Sequence, residues 1–145
     1  MTEAASQTVL HATAVAIGDR GLLITGVSGS GKSSLALELI SRGATLVSDD
    51  RVVCQARSGQ DILWLSPPAT IAGRIEARGL GLIALPFREA SAAAVVTLDK
   101  VETARLPERH ETVIAGVALP LYRKVESSAF PAILMACLKG ERVAP

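Results

Sequence analysis

Apolar and polar positions along this chain change their period several times, and each change marks an element boundary. Residues 8–17 alternate loosely and are rich in β-branched side chains, which predicts one strand. Gly18-Asp19-Arg20-Gly21 is a turn, and the apolar run Leu22-Leu23-Ile24-Thr25 behind it completes a hairpin. Past a glycine- and serine-rich stretch, Leu35, Ala36, Leu39 and Ile40 fall on one helical face, with Arg42 in the last turn and Gly43 as the stop. Residues 44–48 form another short strand that ends in Asp49-Asp50. Residues 51–57 and 62–65 read as a second hairpin around Ser58-Gly59-Gln60-Asp61, closed by Pro67-Pro68. Residues 69–78 carry a mixed pattern compatible with a helix, and Gly79-Leu80-Gly81 turns into a strand that runs to Leu85. Further strands are predicted over residues 92–98 and 112–119. A terminal helix covers residues 130–139, with Pro131 tolerated in its first turn and Gly140 ending it. The pattern predicts a single strand-rich α/β domain over residues 1–145, with few helices and no linker or repeat.

Composition narrows the function classes. The formal charge is +1 with acids and bases interspersed, and the chain has only four aromatic residues, so neither an electrostatic footprint nor stacking platforms for nucleic acid are present. Cys54 and Cys137 lie far apart without metal-ligand spacing, as expected of core residues in a reduced compartment. The longest uncharged run, residues 4–18, is too short to span a bilayer and lacks the basic flank of a secretion signal. A cytoplasmic protein with no membrane role is expected. With 49% hydrophobic residues in so small a chain, surface is left over for self-association, and a homo-oligomer is expected.

The glycine- and serine-rich stretch changes the picture most. Gly26-Val27-Ser28-Gly29-Ser30-Gly31-Lys32-Ser33 is a full match to the pattern G-x-x-x-x-G-K-[ST]. Its backbone N–H groups can curl around phosphate oxygens, Lys32 supplies a positive charge for the β- and γ-phosphates, and the Ser33 hydroxyl can take a position on Mg²⁺. ATP and Mg²⁺ are the expected ligands. In an open α/β sheet the strand after this helix ends at the ligand edge, which puts Asp49 and Asp50 there. One carboxylate can hold Mg²⁺, directly or through water, and the other can accept the proton of an attacking hydroxyl. Several P-loop classes are excluded. The chain contains no asparagine, so it has neither the guanine-reading Asn-Lys-x-Asp motif nor the catalytic-loop Asn of eukaryotic-type kinases. It also has no Leu-Ser-Gly-Gly-Gln sequence and no arginine-bearing lid. In Ile75-Glu76-Ala77-Arg78-Gly79-Leu80-Gly81, Glu76 can join Ser33 on Mg²⁺ and Arg78 can face phosphate.

His11, GVSGSGKS, LVSDDRV and EARGLGLI, in this order and at these separations, resemble the catalytic core of the bacterial HPr kinase/phosphorylase family. The resemblance is close over residues 10–85. It implies a P-loop core of the HPr kinase/phosphoenolpyruvate carboxykinase-like type, in a short form without the family's additional N-terminal domain. It further implies a protein-serine kinase that phosphorylates the phosphocarrier HPr with ATP, and a phosphorolytic reversal that yields pyrophosphate. Asp50 is then the proton acceptor, Lys32 the phosphate ligand, and Ser33 and Glu76 the Mg²⁺ ligands. His11 matches a family histidine at the active site, and Arg105 falls where the family carries a catalytic arginine. Family enzymes are hexameric. Two rivals stand beside this reading: a P-loop kinase of a small metabolite, and a nucleotide-sensing module that binds without transfer. Asp50 beside an intact loop argues against the second, which has no need of a base.

Overall fold

The computed structural model describes residues 6–57, 59 and 61–143. Its strands are β1 (Gln7–Leu10), β2 (Thr13–Ile17), β3 (Arg20–Thr25), β4 (Thr45–Ser48), β5 (Val52–Arg57), β6 (Ile62–Ser66), β7 (Arg74–Ala77), β8 (Gly81–Ala84), β9 (Ala90–Val101), β10 (His110–Ile114) and β11 (Val117–Lys124). Helix α1 (Lys32–Ser41) follows β3, and α2 (Phe130–Lys139) follows β11. Nine strands form one sheet in the order β1-β5-β6-β9-β3-β2-β4, with β11 on β9 and β10 on β11, while β7 and β8 make a separate hairpin. Among the described residues the fold is a strand-rich α/β domain with two helices.

Strand β9 holds the sheet together because it is long enough to have three neighbours. One edge pairs in parallel with β3, and the other is shared between β6 at Ala90 and Ser91 and β11 from Val95 onward. The period-2 alternation of the central strands divides the core into two clusters. Val15, Leu22, Ile24, Ala94 and Val96 face the helices, where Leu39 of α1 and Phe130, Leu134 and Leu138 of α2 cover them. Ala14, Ala16, Leu23 and Val95 join a second cluster with Cys54, Leu63, Leu65 and Leu119 from the outer strands. Residues 22–24 are at most 1% exposed, which explains why a run apolar on both faces is a strand here.

Three sequence expectations require correction. Residues 8–17 are two strands rather than one. β1 pairs with β5 while β2 pairs with β3 and β4, and the bend at His11 carries the chain from one partner to the other. Residues 69–78 are not a helix: a 3₁₀ turn over Ala69–Ile71 gives way to β7. Gly73, at φ +73°, breaks any helical continuation, and only Ile75 of β7 is buried, against α1 and the helix-side core. Residues 112–119 are a hairpin of β10 and β11, turning at Ala115 and Gly116 with φ of 51° and 83°. Such a two-residue turn usually announces itself with Asn-Gly or Asp-Gly, and Ala-Gly hides it. Of the turn expected at 58–61, Ser58 and Gln60 lie outside the described residues.

The segment after β8 protects the open edge of β4. Phe87 bridges Leu46 in parallel, and Arg88 donates its backbone N–H to the Leu46 carbonyl at 3.0 Å. A Cβ at Gly73 would lie 2.9 Å from the Phe87 ring, so this glycine lets the β7–β8 hairpin dock closely. Leu85 N–H donates to the Gly73 carbonyl at 2.8 Å and closes the hairpin's base. The hairpin is thereby fixed beside the C-terminal end of β4. Among the described residues no helix is long and apolar enough to cross a membrane.

Candidate functional site

Strand β2 is antiparallel to both β3 and β4, so β3 and β4 point the same way and finish at the same sheet edge. Residues 26–31 leave β3 at this edge as a loop and enter α1 at Lys32. The loop's shape depends on glycine. A Cβ at Gly26 would stand 2.5 Å from Ser30 Oγ and 3.2 Å from Leu98 Cβ. Gly31, at φ 101°, caps α1 in a left-handed conformation. Ser30 N–H donates to the Val27 carbonyl at 3.0 Å, and Val27 N–H donates to Asp99 Oδ1 at 2.9 Å, tying the loop to the end of β9. Lys32 Nζ folds back over the loop to the carbonyls of Gly26 (2.7 Å) and Val27 (3.1 Å). Ser30 Oγ is buried and has no hydrogen-bond partner among the described residues. Gly-rich backbone, the first turn of a helix and a lysine converge here, the arrangement that accommodates phosphate oxygens.

Asp49 connects this loop to the rest of the site. Its side chain is 6% exposed and accepts three hydrogen bonds. Oδ1 receives the hydroxyls of Ser33 at 2.7 Å and Thr13 at 2.9 Å, and Oδ2 receives the backbone N–H of Glu76 at 3.0 Å. Helix α1, strand β2 and the β7–β8 hairpin thus meet on one carboxylate. Asp50, by contrast, is exposed and has φ 69°, rare for a residue with a side chain. Arg51 N–H donates to the Asp49 carbonyl at 2.8 Å, closing a positive-φ γ-turn with Asp50 at its apex. Ser48 Oγ, buried beneath, donates to the Arg51 carbonyl and braces the same turn. Strain held by surrounding structure is typical of functional positions and costs about 1–3 kcal/mol.

The oxygens of Ser33 and Asp49 are hard donors of the kind Mg²⁺ takes, and the exposed Glu76 side chain adds a carboxylate on the strand bonded to Asp49. Among the described residues no three His, Cys, Asp or Glu side chains come together to hold a metal. A site of one hydroxyl and one or two carboxylates suits an ion that keeps several waters and shares substrate phosphates.

His11 is exposed at the bend between β1 and β2. Leu10 pairs with Val52 and Ala14 with Ser48, so residues 11–13 run opposite 49–51 and His11 belongs to the same corner as Asp50. Arg105 stands apart. It is exposed in the segment between β9 and β10, where it borders a cavity of about 520 Å³ between that segment, β11 and α2. None of the hydrogen bonds made by Lys32, Ser33 or Asp49 involves His11 or Arg105. His110 and Glu111 open β10, and His110 Nε2 lies 4.0 Å from Glu102 Oε1.

Sequence reasoning missed Thr13, Ser48 and Asp99. Each is a common residue on or near a strand end, and only the pairing of distant strands brings it to the loop or the acids. The one available signal was polarity at a position otherwise reading as buried: Thr13 and Ser48 are at most 1% exposed. The groups with displaced pKa values lie elsewhere. Burial pushes the Cys54 thiol from 9.0 to about 11, and burial, reinforced by Cys137, pushes Tyr122 from 10.0 to about 12.

A phosphate-type loop between a strand and a helix, with two acids at the same sheet edge, defines a P-loop α/β domain. The chain belongs to the HPr serine kinase C-terminal domain family, whose sequence profile matches residues 2–104. It is similar to the HPr kinase/phosphorylase of Clostridium beijerinckii, with 49% identity over 79 residues, 54% of this chain and 26% of that protein. The HPr kinase/phosphorylase of Streptococcus agalactiae is 33% identical over 132 residues, covering 82% of this chain and 42% of that protein. The chain therefore spans between a quarter and about two-fifths of these relatives' lengths. Among solved structures, the Hpr(Ser) kinase/phosphatase from Coxiella burnetii superposes with a TM-score of 0.71 at 26% identity, covering 91% of this chain and 93% of that one.

Proposed function

We propose that this chain is the phosphoryl-transfer core of a protein-serine kinase that uses ATP and Mg²⁺ to phosphorylate a seryl hydroxyl of an HPr-type phosphocarrier. The observation that carries the reading is the single carboxylate, Asp49, bonded at once to Ser33 of the phosphate loop and to Glu76 N–H, with Asp50 presented beside it in a braced turn. Family membership and the likeness to the Coxiella protein support it.

The loop amides and Lys32 bind and orient the donor's phosphates. Ser33, Asp49 and Glu76 are the residues that would hold Mg²⁺, whose charge, when it is bound, offsets that of the phosphates. Asp50 accepts the proton of the attacking seryl hydroxyl as the new O–P bond forms and the bond to the leaving diphosphate breaks. In the reverse direction inorganic phosphate attacks the phosphoserine, Asp50 returns the proton to the seryl oxygen, and pyrophosphate leaves. His11, at the same corner of the sheet as Asp50 by strand register, acts on the same proton and phosphate charge. Arg105 serves the transferring phosphoryl group from its own subunit or from a neighbour in a homo-oligomer. The protein acts in the cytoplasm, where such a carrier resides.

The test is transfer from labelled ATP to purified HPr of the same organism. Wild type transfers label, and Asp50→Asn reduces the rate by about 10²–10⁴, the range for a positioned acid–base group. Adding phosphate to the phosphorylated carrier releases pyrophosphate. ATP binding without any label on HPr would remove the protein-kinase assignment and leave a metabolite kinase or a sensor.

A further inference from the structure

We infer that the cavity of about 200 Å³ at the C-terminal end of α2 is a binding site for a small dianion, distinct from the phosphate loop. Arg20, Arg109 and Arg142 border it, together with Tyr122, Cys137 and Glu141. The site goes beyond the kinase reading and does not depend on it.

Three chain segments bring these arginines together. Arg20 opens β3, Arg109 immediately precedes β10, and Arg142 follows α2. Main-chain carbonyls hold each guanidinium in place. Arg20 donates from Nε to the Leu138 carbonyl at 2.7 Å and from Nη2 to that of Gly140 at 3.4 Å. Arg109 Nη2 donates to the Arg142 carbonyl at 3.1 Å, while Arg142 Nη2 donates to the Pro107 carbonyl, so these two segments clasp one another. Burial, reinforced by Cys137, raises Tyr122 to about 12, and the charges of Arg142 and Arg109 oppose that rise, which places both near the phenol on the cavity wall.

The charge balance identifies the occupant. A helix C-terminus favours a cation, which accounts for one arginine against the carbonyls of α2 but not for three. Glu141 is the one acid on the lining, and among the described residues none of the three arginines forms an ion pair. Three cations against one anion leave two positive charges uncompensated. Each guanidinium has N–H groups beyond those spent on carbonyls, and its planar fork suits the paired oxygens of a phosphate or a carboxylate. The volume lies below the roughly 300–1,000 Å³ of drug-sized ligands, which suits inorganic phosphate or a short dicarboxylate rather than a nucleotide. The phosphate loop leaves the other end of β3, about 17 Å along the strand, and none of residues 26–33 borders the cavity.

Lys32→Ala removes the loop's cation, so calorimetry of that full-length variant with phosphate and with malonate reads anion binding elsewhere. Saturable binding with a Kd of about 1 mM or tighter is expected. Preference for phosphate assigns the site to a phosphoryl group and preference for malonate to a dicarboxylate, and either supports the inference. Adding Arg109→Gln or Arg142→Gln is expected to weaken binding tenfold or more, whereas Arg57→Gln, outside the cavity, leaves it unchanged. Thermal unfolding verifies the fold of each variant. Should loss of the clasp unfold the chain, the Nε–H resonances of Arg20, Arg109 and Arg142 in the Lys32→Ala protein are expected to shift together as either anion is added. No saturable binding, equal loss in Arg57→Gln, or binding that leaves those three resonances unmoved overturns the anion site.

Discussion

A carboxylate that is 6% exposed and receives two hydroxyls and a backbone N–H has a structural duty, whereas its neighbour Asp50 is exposed on a strained turn and has none. The two acids therefore respond differently to the same change. Asp49→Asn replaces one acceptor oxygen with a donor among three donors and is expected to cost about 1–3 kcal/mol of stability in urea unfolding. Asp50→Asn is expected to leave stability within about 0.5 kcal/mol, because Asn tolerates positive φ as readily as Asp, while activity falls as stated above. Equal destabilisation by both would refute the division of labour. A pH effect belongs at this scale too. The buried Cys54 thiol titrates near 11 when folded and near 9.0 when unfolded, so the unfolded chain loses its proton first as pH rises. Its contribution to stability is whole below pH 9 and is lost between about pH 9 and 11. Denaturation curves across that window should show a decline that Cys54→Ala makes shallower.

At the scale of elements, turns decided what strand patterns left open. The β10–β11 turn puts Ala115 at φ 51°, where a side chain other than Asn, Asp or Gly is unwelcome. Ala115→Asn is expected to stabilise the protein by about 0.5–1 kcal/mol, read as a raised urea midpoint with unchanged slope. Gly73→Ala should do the opposite. Its Cβ would meet the Phe87 ring at 2.9 Å in a backbone conformation that alanine resists, and the hairpin carrying Glu76 would shift from Asp49. Loss of both stability and phosphoryl transfer is the expected outcome, and unchanged transfer would show that the hairpin does not position the site. The elements with strong local signals, α1 with its loop and α2 with Pro131 and Gly140, were legible at once. Residues 69–78 were not, because a four-residue strand that buries only Ile75 carries too little periodicity to distinguish it from a short helix.

For the whole molecule, the apolar excess found in the composition reappears as exposed side chains. Leu80, Leu82, Leu106 and Val113 are each 66–78% exposed and offer apolar surface to a second copy of the chain. Light scattering is expected to give a mass that is a multiple of 15.1 kDa, and a monomer at micromolar concentration would contradict it.

The sequence by itself determined the phosphate loop, the helix it opens, the acid pair and the class of fold, because each depends on residues adjacent in the chain. Glycine, lysine and serine at fixed spacing leave the backbone few other uses. Only the tertiary structure decided that Asp99 ties down that loop, that Thr13 and Ser33 share Asp49, that Asp49 is buried while Asp50 is exposed on a turn, and that Glu76 reaches Asp49 through its backbone. These relations join residues up to 72 positions apart, as between Val27 and Asp99, through the pairing of strands. A hydrogen bond across a sheet depends on register and burial, and neither is written at any single position of the chain.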